Sequence, residues 1–311
     1  MPVSSTGPGS GETPSNGEGD VARASNEGDD APRTPNEDAD AARASGADRE
    51  GDTLPINELF YSLQGEGILA GVPSVFVRTS GCNLRCWFCD SYHTSWEPTH
   101  AWMGLDEIVA EVESFERADH IVLTGGEPLL HEESVRLLER LAELGYHTTV
   151  ETNGTIFRDA PIDLASISPK LESSTPTPDR NPRAEQSGDD AGSGQRAAGD
   201  SSRDSDGIAS RHERNRIDLE AMARLVETYD SQLKFVVTDE PDVAEVESIL
   251  EDLRAVSTAS IGADDVLLMP EGATRDRLAE TRTRVAELAM EHGFRYTPRL
   301  HVDLWNDAPE T

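Results

Sequence analysis

The sequence predicts an α/β domain built on a parallel sheet, and two observations carry that prediction. Short apolar runs typical of strands alternate with segments of helical periodicity between residues 56 and 292. Polar motifs, among them Thr-Gly-Gly, Thr-Asn-Gly and Ser-Pro-Lys, stand directly after three of the predicted strands. This alternation indicates strands joined by crossover helices, and ligands bind beyond the carboxyl ends of such strands.

The predicted elements follow these runs in order. Strands are predicted over 56–61, 75–79, 121–123, 148–151, 164–168, 233–237 and 265–269. Helices are predicted over 105–115, 135–144, 217–229, 241–254 and 275–292, and Gly145 is expected to end the second of them.

Two segments lack the apolar residues that a folded core requires. Residues 1–52 contain no Leu, Ile, Phe, Trp, Tyr or Cys, and Ile208 is the only large apolar residue of 173–213. Such segments cannot bury enough apolar surface to offset the entropy of ordering. We therefore predict a disordered acidic N-terminal extension over 1–52. A single domain is predicted over 53–311, interrupted by a disordered loop insert at about 173–213.

The charge and lysine content of the chain indicate which classes of protein it can belong to. The formal net charge is −33, and only Lys170 and Lys234 among the 27 basic residues are lysines. A nucleic-acid-binding protein usually carries a basic face, so we expect no direct nucleic-acid partner. Acid-rich, lysine-poor composition is typical of proteins from halophilic archaea; the alternative is an ordinary acidic cytosolic protein with acidic tails.

We also expect a cytoplasmic protein with no membrane partner. The N-terminus shows no apolar signal region, and no apolar run approaches the ~18 residues that span a bilayer.

The three cysteines indicate a metal site. Cys82, Cys86 and Cys89 fall within eight residues, too close together for a disulfide framework, in a pattern typical of a reducing compartment. Thiolates bind iron–sulfur clusters and zinc, and three thiolates leave one iron of a four-iron cluster open to a ligand. The alternative is a zinc site with His93 as fourth ligand, although structural zinc usually draws on two separated ligand pairs.

The cysteine spacing, with Phe88 beside the last cysteine, resembles the signature of the radical S-adenosylmethionine (SAM) superfamily, which implies a [4Fe–4S] cluster and SAM. Thr124-Gly125-Gly126-Glu127-Pro128 is similar to that superfamily's element for the SAM amino group. Paired glycines let the backbone approach a ligand closely, and a carboxylate there can accept from an amino group. A simple βα turn would also explain the segment.

Further motifs resemble those of the 7-carboxy-7-deazaguanine synthase family. They occur in that family's order over about 55–305, and they are Glu58–Gly67, Val75–Leu84, Cys89-Asp90-Ser91, Glu151–Gly154, Ser168-Pro169-Lys170 and Leu233–Val237. The resemblance implies a partial (β/α) barrel of the radical SAM type, smaller than the full eight-unit form. It also implies a homodimer.

The resemblance implies a reaction. In it, 6-carboxy-5,6,7,8-tetrahydropterin is rearranged to 7-carboxy-7-deazaguanine with loss of ammonia, on the route to the tRNA nucleosides queuosine and archaeosine. Reductive cleavage of SAM starts the reaction by hydrogen abstraction at substrate C6, and SAM is regenerated at its end. Mg²⁺ is expected beside the substrate carboxylate, and the electron would come from a donor such as ferredoxin or flavodoxin.

The resemblance also implies residue roles, and none of them is that of a classical acid or base. Ser91 stands at the position of a hydroxyl ligand to Mg²⁺, where relatives can carry Thr. Arg78 suits the substrate carboxylate, because its guanidinium fork matches that group. The other residues expected at the substrate are Leu63, Gln64, Gly65 and Thr124. Those expected at SAM are Phe88, Gly125, Gly126, Glu127, Ser168, Pro169, Lys170, Met269, Pro270, Glu271 and Gly272.

Plainer interpretations remain open for several of these residues. Arg78 could be a surface charge, Gln64–Gly67 an ordinary glycine turn, and Ser91 a turn cap. His301 falls near a C-terminal histidine of the family in a divergent stretch, so contacts by the chain end stay open. Two rival functions also remain: another radical SAM enzyme, such as a glycyl-radical activase, and a non-catalytic zinc-binding protein.

Overall fold

The computed structural model describes residues 52–182, 201–306 and 308, with the backbone alone for 201–206. The predicted N-terminal extension lies outside the described residues, apart from the exposed Asp52. No helix in the described ranges is long and apolar enough to cross a membrane.

Nine strands and eight helices make up this part of the chain. The strands are β1 (Thr53–Leu63), β2 (Pro73–Thr79), β3 (Ala101–Gly104), β4 (His120–Gly125), β5 (His147–Thr152), β6 (Leu164–Ile167), β7 (Ser231–Val237), β8 (Val266–Pro270) and β9 (Arg295–Tyr296). The helices are α1 (Tyr92–Ser95), α2 (Leu105–Glu113), α3 (Glu133–Glu143), α4 (Ser201–Asn215), α5 (Leu219–Thr228), α6 (Glu240–Val256), α7 (Arg275–His292) and α8 (Leu300–Trp305).

All nine strands form one mixed sheet in the order β3-β1-β2-β4-β5-β6-β7-β8-β9. Every neighbouring pair from β2 to β9 is parallel, so the predicted α/β architecture is confirmed. β1 departs from the predicted parallel arrangement, since it pairs antiparallel with both β2 and β3. The link from β1 to β2 is a short glycine-containing turn with no helix, and such a turn can join only antiparallel strands.

The strands bury alternate residues against the helices. Val75, Val77, Ile121, Leu123 and Val150 belong to one core with the apolar faces of the helices. The intervening positions point to the other face of the sheet, because successive strand side chains alternate. Those positions include five polar residues on neighbouring parallel strands: Arg78, Thr124, Glu151, Ser166 and Lys234.

The boundaries of the predicted insert need correction. Only 183–200 of that segment lies outside the described residues, and Ser201–Asn215 forms helix α4. Ser174 and His212, both within the predicted disordered range, are buried at 0% and 1% exposure. The sequence carries no signal for α4, because Ile208 is its only large apolar residue and single polar side chains such as His212 hold it to the rest of the domain.

Candidate functional site

A cavity of about 570 Å³ lies at the carboxyl ends of β2 and β4–β8. It is lined by all three cysteines and by the five polar residues of the inner sheet face. Of the twenty site residues predicted from sequence, Glu127, Pro169 and Pro270 do not line it; the other seventeen do. The parallel strands therefore bring together residues that are more than two hundred positions apart in the chain.

The cysteines lie on the loop after β2. Burial raises the pKa of all three thiols, that of Cys86 to about 12. Protein hydrogen bonds oppose this effect only in part: Leu84 N donates to Cys82 Sγ at 3.4 Å and Ser95 Oγ to Cys89 Sγ at 3.2 Å. Hydrogen bonds from Ser174 to Cys86 and from the Ser91 backbone to Cys89 also lower the pKa of those thiols. Metal-binding thiols must lose their protons, so a strongly cationic group would have to stabilise the three thiolates here.

The spacing of the sulfur atoms favours a cluster over a single zinc ion. Tetrahedral zinc with Zn–S bonds of ~2.3 Å holds its ligand sulfurs roughly 3.8 Å apart. Within the described ranges, only Glu240, Glu291 and His292 bring three ligand atoms of His, Cys, Asp or Glu side chains within 4.8 Å of one another. The three Sγ atoms do not form such a group, so at least one pair of them lies farther apart than the sulfurs bound to one zinc ion. This arrangement fits the donor set expected for [4Fe–4S].

The paired glycines after β4 allow close approach to the cysteine loop. A Cβ at Gly126 would come within 2.2 Å of Gly81 O and 2.8 Å of Cys82 Cβ. A Cβ at Gly125, where φ is +149°, would come within 2.3 Å of Thr79 O. Only glycine fits either position, because larger residues would displace backbone.

Glu127, which is expected at SAM, does not itself line the cavity. It is fully buried, and its carboxylate accepts from Leu129 N, Thr152 Oγ1 and Asn153 N at 3.0, 2.9 and 2.7 Å. Burial raises the pKa of Glu127 to about 7. Because both oxygens are engaged inside the protein, Glu127 anchors the end of β5. Gly125 and Gly126, which precede Glu127, line the cavity instead.

The remaining residues expected at SAM flank the cysteine loop. Lys170 Nζ donates to Ser168 Oγ at 2.7 Å, and both side chains line the cavity. On the neighbouring side, Glu271 pairs with Arg277 at 2.6 Å, and Gly272 O accepts from Arg299 Nη1 at 2.7 Å. Pro169 and Pro270 are buried and shape the two turns.

Arg78 lies beside Ser91 at the wall of the cavity. Its Nη1 donates to Ser91 Oγ at 2.9 Å and its Nε to Glu58 Oε2 at 3.0 Å. The guanidinium also lies 5.7 Å from the centre of the Phe60 ring. These contacts fix the side chain at the cavity wall, so the interpretation as a free surface charge does not hold.

A network of charges lies across the cavity and is largely buried except at Asp90; the sequence did not predict it as part of the site. Lys234 Nζ lies 2.6 Å from Glu66 Oε2 and 3.8 Å from Glu151 Oε1. Arg299 donates to Glu66 at 3.0 Å and to Asp90. Burial opposes ionisation of Glu66, but Lys234 and Arg299 outweigh it, so the pKa of Glu66 lies well below its usual range. Two signals in the sequence pointed to Lys234: the rarity of lysine and its place in the Leu233–Val237 motif.

The network continues into the residues expected at the substrate. Gln64 Nε2 donates to Glu151 Oε1 at 3.2 Å, and Thr124 Oγ1 donates to Glu151 Oε2 at 2.9 Å. Leu300 N donates to Gly65 O at 2.8 Å, and a Cβ at Gly65 would lie 1.9 Å from His301 Nδ1. Gly65 is therefore needed for His301 to reach the cavity, although the sequence around His301 left that placement open.

Comparison with known proteins agrees with this geometry. Residues 76–170 match the model of the Radical SAM superfamily. The 7-carboxy-7-deazaguanine synthase of Halobacterium salinarum is 64% identical over 262 residues, which cover 84% of this chain and 94% of that protein. The synthase of Rhodopirellula baltica is 36% identical over 251 residues, covering 80% of this chain and 86% of that protein.

A solved structure shares the fold. The crystal structure of QueE from Escherichia coli superposes with a TM-score of 0.52 at 24% identity, covering 80% of this chain and 95% of that chain. At this level of identity the match supports the architecture alone.

Proposed function

This chain belongs to the 7-carboxy-7-deazaguanine synthase family, and we propose that the cavity described above binds the cluster, SAM, Mg²⁺ and the pterin substrate together. It is a radical SAM lyase that converts 6-carboxy-5,6,7,8-tetrahydropterin to 7-carboxy-7-deazaguanine with loss of ammonia. The product serves the biosynthesis of queuosine and archaeosine in tRNA. The observation that carries this assignment is the convergence of three cysteines and a row of polar strand residues on one cavity.

Cys82, Cys86 and Cys89 would hold the [4Fe–4S] cluster, which with SAM supplies one-electron chemistry when bound. Gly125 and Gly126 line the cavity, and the close approach of Gly126 to the cysteine loop puts backbone groups near Cys82. Ser168 and Lys170 line the same cavity and can bind polar atoms of SAM. Phe88, Met269, Glu271 and Gly272 close the same part of the cavity.

The substrate carboxylate is assigned to Arg78, with Mg²⁺ at the Ser91 hydroxyl. Ser91 Oγ lies 3.4 Å from Asp90 Oδ1, so a hydroxyl and a carboxylate oxygen are adjacent there. Mg²⁺ favours oxygen ligands and keeps several waters, which suits a site with few protein ligands. Gln64, Thr124 and Glu151 supply donors and acceptors that match the amide-like edge of a pterin. Leu63 and Gly65 complete this wall.

The assignment needs no protein acid or base. Water exclusion and orientation come from the hydrogen-bonded cavity walls. A homodimer, a ferredoxin or flavodoxin as electron donor, and a cytoplasmic location are further parts of the proposal, and they rest on the family.

The role of Arg78 can be tested with a substrate analogue. In anaerobic assays with reconstituted protein, Arg78→Gln should lower kcat/KM for the carboxypterin by roughly 10- to 100-fold, because a charge-assisted pair is lost. The kcat/KM of Arg78→Lys, which keeps the positive charge but loses the planar guanidinium, should lie between those of the unaltered protein and of Arg78→Gln. Binding of a tetrahydropterin without the carboxylate should be unchanged.

Iron content and SAM binding serve as controls, because Arg78 touches neither group in the proposed arrangement. An equal loss of binding for the substrate and for the analogue without a carboxylate would contradict the assignment.

A further inference from the structure

His212 touches the cysteine loop from behind, outside the cavity. It lies on α4, in the segment that the sequence predicts to be disordered, and its side chain is 1% exposed. Nδ1 of His212 lies 3.0 Å from the backbone N of Arg85, a residue between Cys82 and Cys86. Nε2 lies 2.9 Å from Ser174 Oγ.

These contacts fix the tautomer of the ring. A backbone N–H can only donate, so Nδ1 of His212 accepts and Nε2 carries the proton. Nε2–H then donates to Ser174 Oγ, which donates in turn to Leu171 O at 2.6 Å. Burial lowers the pKa of His212 to about 4, in agreement with a neutral ring.

The hydrogen bonds join the two loops that flank the SAM part of the cavity. Leu171 directly follows Lys170, and Arg216 Nη1, just past α4, donates to Lys170 O at 3.1 Å. In the other direction, Ser174 O accepts from Trp87 N at 3.0 Å, and Ser173 O accepts from Trp87 Nε1 at 2.7 Å. The cysteine loop is therefore tied to the Ser168–Lys170 loop by His212 and Ser174.

We propose that His212 is a positioning residue that holds the cysteine loop against the Ser168–Lys170 loop, so that retention of the cluster and its response to SAM depend on it. The proposal rests on the proposed function only in that a cluster binds the three cysteines. Residues that orient ligand-bearing segments commonly change metal affinity 10- to 100-fold when replaced. Removal of His212 would also leave the Arg85 N–H without its partner.

The test compares two buried histidines. His212→Phe keeps a ring of similar size and loses both hydrogen bonds. His120→Phe is the matched control, since His120 is 4% exposed and bonds Ser74 Oγ at 2.7 Å and Thr149 Oγ1 at 2.8 Å, at the other end of the sheet. After anaerobic reconstitution, we would measure iron release to a chelator and the change that SAM causes in the EPR spectrum of the reduced cluster.

We expect His212→Phe to release iron roughly 10-fold faster than the unaltered protein or more, with a reduced spectral response to SAM. His120→Phe should release iron at the unaltered rate even if its melting temperature falls. His212→Asn can still accept from Arg85 N through its side-chain oxygen and should restore part of the retention.

Iron release and a SAM response equal to those of the unaltered protein in folded His212→Phe would overturn the proposal. If His212→Phe does not fold, Ser174→Ala carries the test, because it removes the second link with little change in volume. Unchanged iron release in that variant would overturn the proposal equally. Failure of the unaltered chain to take up any cluster would instead overturn the proposed function.

Discussion

At the residue scale, the charges of the cavity are unusual for so acidic a chain. The protein carries a net charge of −33 and two lysines, yet it buries one of them, Lys234, to 4% exposure. Burial disfavours the charged amine, but Glu66 and Glu151 outweigh that effect, so the pKa of Lys234 is raised. Buried ion pairs contribute little net stability and are instead costly to break. The network therefore orients Glu66 and Glu151 rather than stabilising the fold.

Replacement of Lys234 should show how much stability is lost when the buried ion pairs are broken. Lys234→Met leaves Glu151 without its cation and Glu66 with Arg299 alone, and we expect it to lower the free energy of unfolding by about 3–5 kcal/mol. The measurement is denaturant unfolding in high salt. The double variant Lys234→Met with Glu66→Gln should recover part of the loss.

The control for this experiment is Arg284→Gln, which removes an exposed ion pair with Glu240 and should change stability little. A Lys234→Met protein as stable as the Arg284→Gln protein would show that Lys234 is not a structural cation of the network.

At the element scale, the parallel strands explain why the site assembles. The register pairs Arg78 with Thr124 and Glu151 with Ser166 across neighbouring strands, which puts their side chains on the same face at the same edge. Local pattern was enough to predict β2 and β4–β8, because each is a short buried run. It was also enough for α7, where Thr274 caps the first turn and Gly293 ends the helix with φ of 74°.

Local pattern could not predict β3, β9 or α4. β3 and β9 are edge strands of four and two residues, too short for a periodic signal. α4 has a largely polar sequence, and His212 in its last turn and Arg216 just after it are held by residues far away in the chain. The charge network was missed for the same reason, since its pairs join residues 66, 90, 151, 234 and 299. The motifs predicted which loops line the cavity but not which side chains bond to one another.

A buried histidine at the amino end of β4, opposite the cavity, should make the stability of the protein depend on pH. His120 begins β4, and burial lowers its pKa to about 4 from an ordinary 6.5. Between these values the unfolded chain binds a proton that the folded chain does not, so stability falls as pH falls from about 6.5 to about 4. His120→Gln removes this group, and its free energy of unfolding should fall less steeply over that range.

Denaturant unfolding at several pH values, taken as the difference between the two proteins, checks this expectation and cancels the shared titration of the acidic residues. Parallel pH profiles would contradict a neutral buried His120.

At the scale of the whole molecule, the insert can be divided by function. Residues 173–182 and 201–213 include Ser174 and His212, which contact the cysteine loop, whereas 183–200 lie outside the described residues. Residues 183–200 contain no large apolar residue, so we expect their replacement by a Gly/Ser linker of equal length to preserve iron content. Deletion of 173–213 should lower it.

Iron and sulfide analysis after reconstitution, at matched fractions of folded protein, measures the difference. Equal iron in the two variants would contradict the division, and the segment could then be treated as one dispensable insert.

The central claim is that the three cysteines hold a cluster that drives the rearrangement of the carboxypterin. The most direct test is anaerobic turnover in high salt with SAM, dithionite, Mg²⁺ and 6-carboxy-5,6,7,8-tetrahydropterin, followed by mass spectrometry. We predict 7-carboxy-7-deazaguanine from the unaltered chain and none from Cys86→Ala. A brown protein that cleaves SAM and leaves the carboxypterin unchanged, or a colourless protein that binds zinc, would contradict the account.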